Sequence, residues 1–149
     1  MRLALVALLL VAAQALAHNH GKGDIQVRHP WSRATPPGAK VAAGYMEIRN
    51  LGSQPDRLLS VTSAAAQRVE MHVTQRDGEV MKMRQVQAFE IPARERITLR
   101  PGGSHLMLVD LAQPLEKGAR FVMKLRFERA GELEVEVEVQ EIGSRHPRH

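Results

Sequence analysis

The sequence predicts an all-β sandwich or barrel, and three observations carry that reading. Residues 132–139 read Glu-Leu-Glu-Val-Glu-Val-Glu-Val, a strict alternation that buries one face of a strand and wets the other. Eight or nine short runs rich in β-branched and aliphatic residues recur at fairly regular spacing, with Gly, Pro, Asn and Asp between them, the signature of sandwiches and barrels. No segment carries a sustained helical period; Ala64-Ala65-Ala66 amounts to one turn at most. The 149 residues fit one domain.

In chain order, Met1-Arg2 is a short positive region and residues 3–13 an apolar run. Ala15-Leu16-Ala17 then offers a small-residue cleavage site. These are the three marks of a secretory signal peptide over residues 1–17. The run is too short for the roughly 20 residues that span a bilayer. Residues 18–23, His-Asn-His-Gly-Lys-Gly, read as a flexible lead. The domain, residues 24–141, opens on the alternation of Ile25 and Val27, ended by Pro30. Strands follow at 42–50, 57–63, 66–76, 79–87, 96–100, 105–111, 120–128 and 132–139, and residues 142–149 read as a flexible tail.

Removal of residues 1–17 leaves 20 basic and 16 acidic residues, a net charge of +4. Scattered Lys and Arg with few aromatics give no nucleic-acid surface. Nothing in the remaining residues is apolar enough to insert in a membrane, so a soluble monomer is expected. The chain has no cysteine. Export to an oxidising compartment would cost a metal site its thiolates, whereas His and Met form no disulfides. An electron-transfer blue-copper site, which requires a Cys ligand, is excluded.

The chemistry concentrates between His72 and Met107. Outside the terminal tails the histidines are His29, His72 and His105, and the last two fall here, with Met83 between them and Met107 beside His105. Two imidazoles and two thioethers form a soft, neutral set that suits Cu(I) better than zinc, magnesium or calcium. Asp77-Gly78 predicts a two-residue hairpin turn. In that register Arg76 faces Glu79, and His72 faces Met83 with Cβ atoms roughly 4.5–5.5 Å apart. His105 and Met107, two apart in a strand, share a face. Met81 is an alternative thioether on the same face. Met71 points away, and Met46 and Met123 belong in the core. Each of these residues alone is more often structural, a core Met or a surface His; the pairing makes them a set. Lys82 and Arg84 fall on the supposed core face and need an exposed edge. Trp31 reads as a hydrophobic anchor, and His29 as structural or exposed.

The pattern His72-x10-Met83-x21-His105-x-Met107 resembles the signature of the PCu(A)C family of periplasmic copper chaperones. The flanking segments match too: residues 30–38, Tyr45-Met46-Glu47-Ile48, Asp56-Arg57-Leu58, Val69-Glu70-Met71-His72, residues 78–84 and residues 101–108. The resemblance covers nearly all of 24–141. It implies a cupredoxin-like Greek-key β-barrel that binds one Cu(I) in the periplasm and is not an enzyme. It also implies delivery to the CuA site of cytochrome c oxidase subunit II, alongside a Sco-type partner. Family members with a His- and Met-rich C-terminal extension bind Cu(II) there; here the tail offers only His146 and His149.

A secondary Cu(II) site follows from the cleavage site. A mature N-terminus at His18 would place His20 third, so that the amine, two amides and the His20 imidazole could make a square-planar set, a geometry that favours Cu(II). The competing readings are an electron-transfer cupredoxin, a metal-free β-sandwich interaction domain, and a copper oxidase. Four protein ligands would leave a copper oxidase no open position for substrate.

Overall fold

The structure, a computed structural model, describes residues 19–148. The expected signal peptide, His18 and His149 lie outside the described residues. Eleven strands follow one another among the described residues. They are β1 (Asn19–Lys22), β2 (Ile25–Arg33), β3 (Val41–Asn50), β4 (Asp56–Thr62), β5 (Ala66–Asp77), β6 (Val80–Val86), β7 (Phe89–Ile91), β8 (Arg96–Leu99), β9 (His105–Leu111), β10 (Arg120–Phe127) and β11 (Gly131–Gln140). The order across the sheet is β6-β5-β9-β3-β2-β11-β10-β4-β7, with β1 on β2 and β8 on β3. All pairs are antiparallel except β11 with β2. Neighbours distant in sequence, such as β9 between β3 and β5, are joined by the crossing connections of a Greek-key β-barrel, as the resemblance implies.

The strands form where the alternation predicts. Across β10–β11, Phe121, Met123 and Leu125 oppose Val137, Val135 and Leu133 on the inner face, while Arg120, Lys124 and Arg126 oppose Glu138, Glu134 and Glu132 on the outer one. Opposite charges directly across a ladder favour the register. Val27, Ile48, Leu106, Leu108, Met123 and Leu125 lie fully buried at the centre, so Met46, Met71 and Met123 are core residues, as expected.

Four sequence expectations are corrected. Strand β2 does not stop at Pro30: a bulge between Arg28 and Trp31, with His29 at φ +49°, carries the chain past the proline. Such a bulge lets a strand change partners, and β2 moves there from β1 to β11. Residues 19–22 of the supposed flexible lead are β1, paired with β2. Phe89–Ile91 forms β7 on the edge of β4. The tail is also tied down. Arg33 Nε donates to the Ser144 carbonyl at 2.7 Å. With its amide oriented to satisfy both partners, buried Gln140 donates to the His146 carbonyl and accepts from Arg148 N–H.

The hairpin register differs as well. Gly78, at φ +63°, is the first turn residue and Glu79 the second, which is the Gly-X pattern of a type II′ turn. Asp77 therefore pairs with Val80, His72 with Gln85, and Thr74 with Met83. The displacement is two residues, an even number, so Met83 keeps the face of His72. Beyond Thr74 the β5–β6 ribbon is exposed on both faces. That accounts for Lys82 and Arg84: they are solvated, and Lys82 pairs with Asp77 at 3.0 Å.

Candidate metal-binding face

Strands β5 and β9 bring the two histidines together. His72 lies directly across from His105, with ring centroids 5.5 Å apart and planes tilted by 45°. In the next row on the same face Glu70 opposes Met107, which also neighbours Ala43 of β3. Leu106 and Leu108, between and beyond them, are fully buried, so strand period alone sends His105 and Met107 to the other side. Met83 reaches this face from β6, one row along from His72, and is 57 % exposed. Diagonal neighbours sit roughly 7–8 Å apart, within reach of a long side chain. Met81, opposite Arg76, is one row further out and equally exposed.

The turn before β9 fixes one imidazole. Arg100-Pro101-Gly102-Gly103 is a type II turn, with Pro at its second position and Gly102 at φ +78° in the third. Gly103 N–H donates to the Arg100 carbonyl at 3.0 Å. A Cβ on Gly103 would sit 3.1 Å from Arg100 Cγ, so a larger residue there would have to push the Arg100 side chain aside. The Gly103 carbonyl then accepts from Thr74 Oγ1 at 3.2 Å and from His105 Nδ1 at 2.9 Å. A carbonyl can only accept, so Nδ1 of His105 carries the proton and Nε2 keeps its lone pair.

His72 is set the other way round. Its Nε2 lies 2.9 Å from Glu70 Oε2. The hydrogen bond from His72, and after it one from Arg68, hold the Glu70 carboxyl below the usual carboxylate range. Ionised Glu70 accepts, so Nε2 of His72 carries the proton and Nδ1 is bare. That Nδ1 is buried and has no hydrogen-bond partner. A buried unsatisfied acceptor costs about 1–3 kcal/mol, so its persistence calls for an explanation, and a ligand on the nitrogen supplies one. A carboxylate bound to the outer nitrogen of one ring and a backbone carbonyl bound to that of the other is how metal-binding histidines are usually oriented.

The residues present fit a soft cation. Among the described residues no three His, Cys, Asp or Glu side chains converge in the manner of a hard-metal or zinc site. The face offers two imidazole lone pairs and the thioethers of Met107 and Met83. Glu70 was the residue that sequence reasoning left without a role. The available signal was its position two before His72 on the same face.

The other predicted ligands fare differently. His18 is outside the described residues. His20 sits in β1 opposite Val27, and its Nε2 accepts from the Glu136 N–H at 3.3 Å. Strand pairing of this kind competes with wrapping the first three residues around an ion. Trp31 pairs with Tyr45 across β2 and β3 and is buried against its ring, with centroids 4.6 Å apart.

Residues 25–139 match the family model described as "LpqE-like: Putative lipoprotein LpqE-like". The chain is 34 % identical over 131 residues to a putative lipoprotein, Lxx21020, of Leifsonia xyli, covering 85 % of this chain and 77 % of that one. Among solved structures it is similar to the copper-bound PCuAC domain from PmoF2, at 35 % identity and TM-score 0.74, over 83 % of this chain and 98 % of that one. It is also similar to the Cu(I) form of DR1885 from Deinococcus radiodurans, at 28 % identity and TM-score 0.65, over 87 % and 83 %. With a family match across nearly the whole β domain and PCuAC domains among its structural neighbours, the chain belongs to the LpqE-like, or PCuAC, family.

Proposed function

We propose that the protein is an exported Cu(I) chaperone that holds one ion between His72 Nδ1, His105 Nε2, Met107 and Met83. The observation that carries the reading is the buried, partnerless Nδ1 of His72 beside the bare Nε2 of His105. The copper-bound states of two solved relatives support it. Cu(I) accepts soft ligands in loose geometry, and a site built from neutral donors yields its ion to a thiolate site. Delivery to the CuA centre of cytochrome c oxidase subunit II, with a Sco-type protein taking part, is the recipient that the family resemblance suggests. The lipoprotein names of the relatives support export to the cell envelope, and release into the periplasm after cleavage at Ala17 belongs to the same reading. A weaker Cu(II) site at His18 and His20 belongs to the same reading.

Anaerobic Cu(I) titration against a competing chelator tests the site. The wild type is expected to bind one equivalent. Met107→Ala should weaken binding more than Met83→Ala, because Met83 is exposed and Met81 stands one row away to replace it. Combining Met81→Ala with Met83→Ala should remove that rescue. Unchanged affinity in both the Met107 variant and the double variant would refute the thioether assignment.

Glu70→Gln is expected to lower Cu(I) affinity by about 10–100-fold, the usual cost of losing an outer partner of a ligating imidazole. The amide can present its N–H to His72 Nε2 and so favour the wrong tautomer. The folded pKa of Glu70 lies below its unfolded one. Its contribution to stability is therefore present above the unfolded value of about 4.3 and is lost as pH falls through the folded value. An affinity within twofold of wild type at neutral pH would remove Glu70 from the site.

A further inference from the structure

Beside the Arg100–Gly103 turn lies a cleft of about 660 Å³. That is within the roughly 300–1,000 Å³ of ligand sites. Arg28, Arg33, Arg100 and Arg145 line it, with Glu47 as the sole acid, so at neutral histidine its lining charge is +3. Glu47 is already engaged by Arg49, by Arg96 at 3.6 Å and by Arg28 at 3.9 Å. Among the described residues, Arg33, Arg100 and Arg145 have no ion-pair partner. The contrast with β10–β11 is sharp: there each of Arg120, Lys124 and Arg126 has a glutamate directly opposite. The floor is apolar, formed by Trp31, Met46 and Leu99.

Guanidinium forks match carboxylates bidentately. Arg and Trp together are the residues that dominate protein docking sites, and a free inorganic anion would make no use of the apolar floor. The position adds the rest. Arg100, Pro101 and Gly102 wall the cleft, while Gly103 of the same turn holds the His105 proton. The tail forms the opposite wall through Arg145 and is pinned by the Arg33–Ser144 hydrogen bond.

We infer that this cleft is a docking site for an acidic, partly apolar segment of the protein that exchanges copper with the histidine pair. The inference rests on the proposed chaperone reading for the identity of its partner, but not for the carboxylate chemistry of the cleft. Docking there would seat the partner one turn away from His105.

The test is an NMR titration of the copper-free mature chain with N-acetyl-Glu-Leu-Asp-Glu-amide, beside the same peptide carrying Gln and Asn for its acids. Saturable shifts are expected at Trp31, Arg33, Arg100 and Gly102 with the acidic peptide only. The affinity should drop as salt rises from about 0.01 to 0.15 M, where the Debye length shrinks from about 30 to about 8 Å. Arg28→Glu combined with Arg145→Glu should weaken peptide binding by about tenfold or more, and leave Cu(I) affinity within twofold. No saturation, an equal response to the neutral peptide, or equally tight binding of inorganic phosphate would overturn the inference. Because copper is absent from this titration, its failure leaves the copper reading standing. Failure of the wild type to bind Cu(I) would leave a carboxylate cleft without the proposed partner.

Discussion

His105→Ala is expected to abolish stoichiometric Cu(I) binding, lowering affinity beyond the about 10–100-fold that loss of an outer partner costs. His105 is the buried member of the pair. Its Nδ1 is held by the Gly103 carbonyl, and its ring lies across the ladder from that of His72, with centroids 5.5 Å apart. Among the described residues paired with β5 and β9 there is no third histidine to replace it, and Met83, exposed on β6, is not a nitrogen donor. His72→Ala should act in the same direction. His72 is half-buried, so a smaller loss of fold stability accompanies it, which separates ligand loss from unfolding. The measurement is chelator competition under anaerobic conditions, with amide spectra showing that the β domain is intact. One equivalent bound at wild-type affinity by the folded His105 variant would refute the site.

Asp56→Ala is expected to be the most destabilising single polar change. Asp56 is buried, and its carboxylate accepts from the N–H groups of Arg57 at 2.7 Å, Arg129 at 2.9 Å and Ala130 at 3.0 Å. It ties the start of β4 to the turn between β10 and β11. Alanine leaves three donors without their acceptor, at about 1–3 kcal/mol each if they stay dry. We expect a loss of at least about 3 kcal/mol, which for a domain of this size lowers the melting midpoint by on the order of 10 °C. Asp56→Asn keeps one acceptor oxygen and should fall between. Thermal unfolding followed by circular dichroism decides it; a drop under about 3 °C would mean that water replaces the carboxylate.

The elements most legible in the sequence are those whose two faces meet different solvents. Strand β11 announces itself because Leu133, Val135, Val137 and Val139 face the core while the glutamates between them face water. His105 and Met107 were legible for the same reason, set off by the buried Leu106 and Leu108. Asp77-Gly78 located the hairpin but not its register, since Gly78 takes the first turn position rather than the second. The face survived because the displacement was even. Strands β1 and β7 were not legible, one being four residues with no apolar alternation and the other only three residues long. Each is a strand because a neighbour, β2 or β4, offers an open edge, and strand formation depends on such partners more than on intrinsic preference. Glu70 stands two residues before His72 on the same strand face, but its role depends on the His72 ring turning Nε2 toward it, which residue spacing does not fix.

The opposed orientation of the two imidazoles has a consequence for proton traffic. Glu70 holds the proton of one ring on Nε2 and Gly103 holds that of the other on Nδ1. The nitrogens left bare are thus the two that the proposed site assigns to the ion, and neither would have to shed a proton to receive it when the rings are neutral. A thiol site must lose protons as it takes up a metal. Copper passing from this face to thiols would therefore acidify the acceptor's surroundings alone, and the handover would be drawn forward by rising pH on the acceptor's side, with the donor's proton count unchanged.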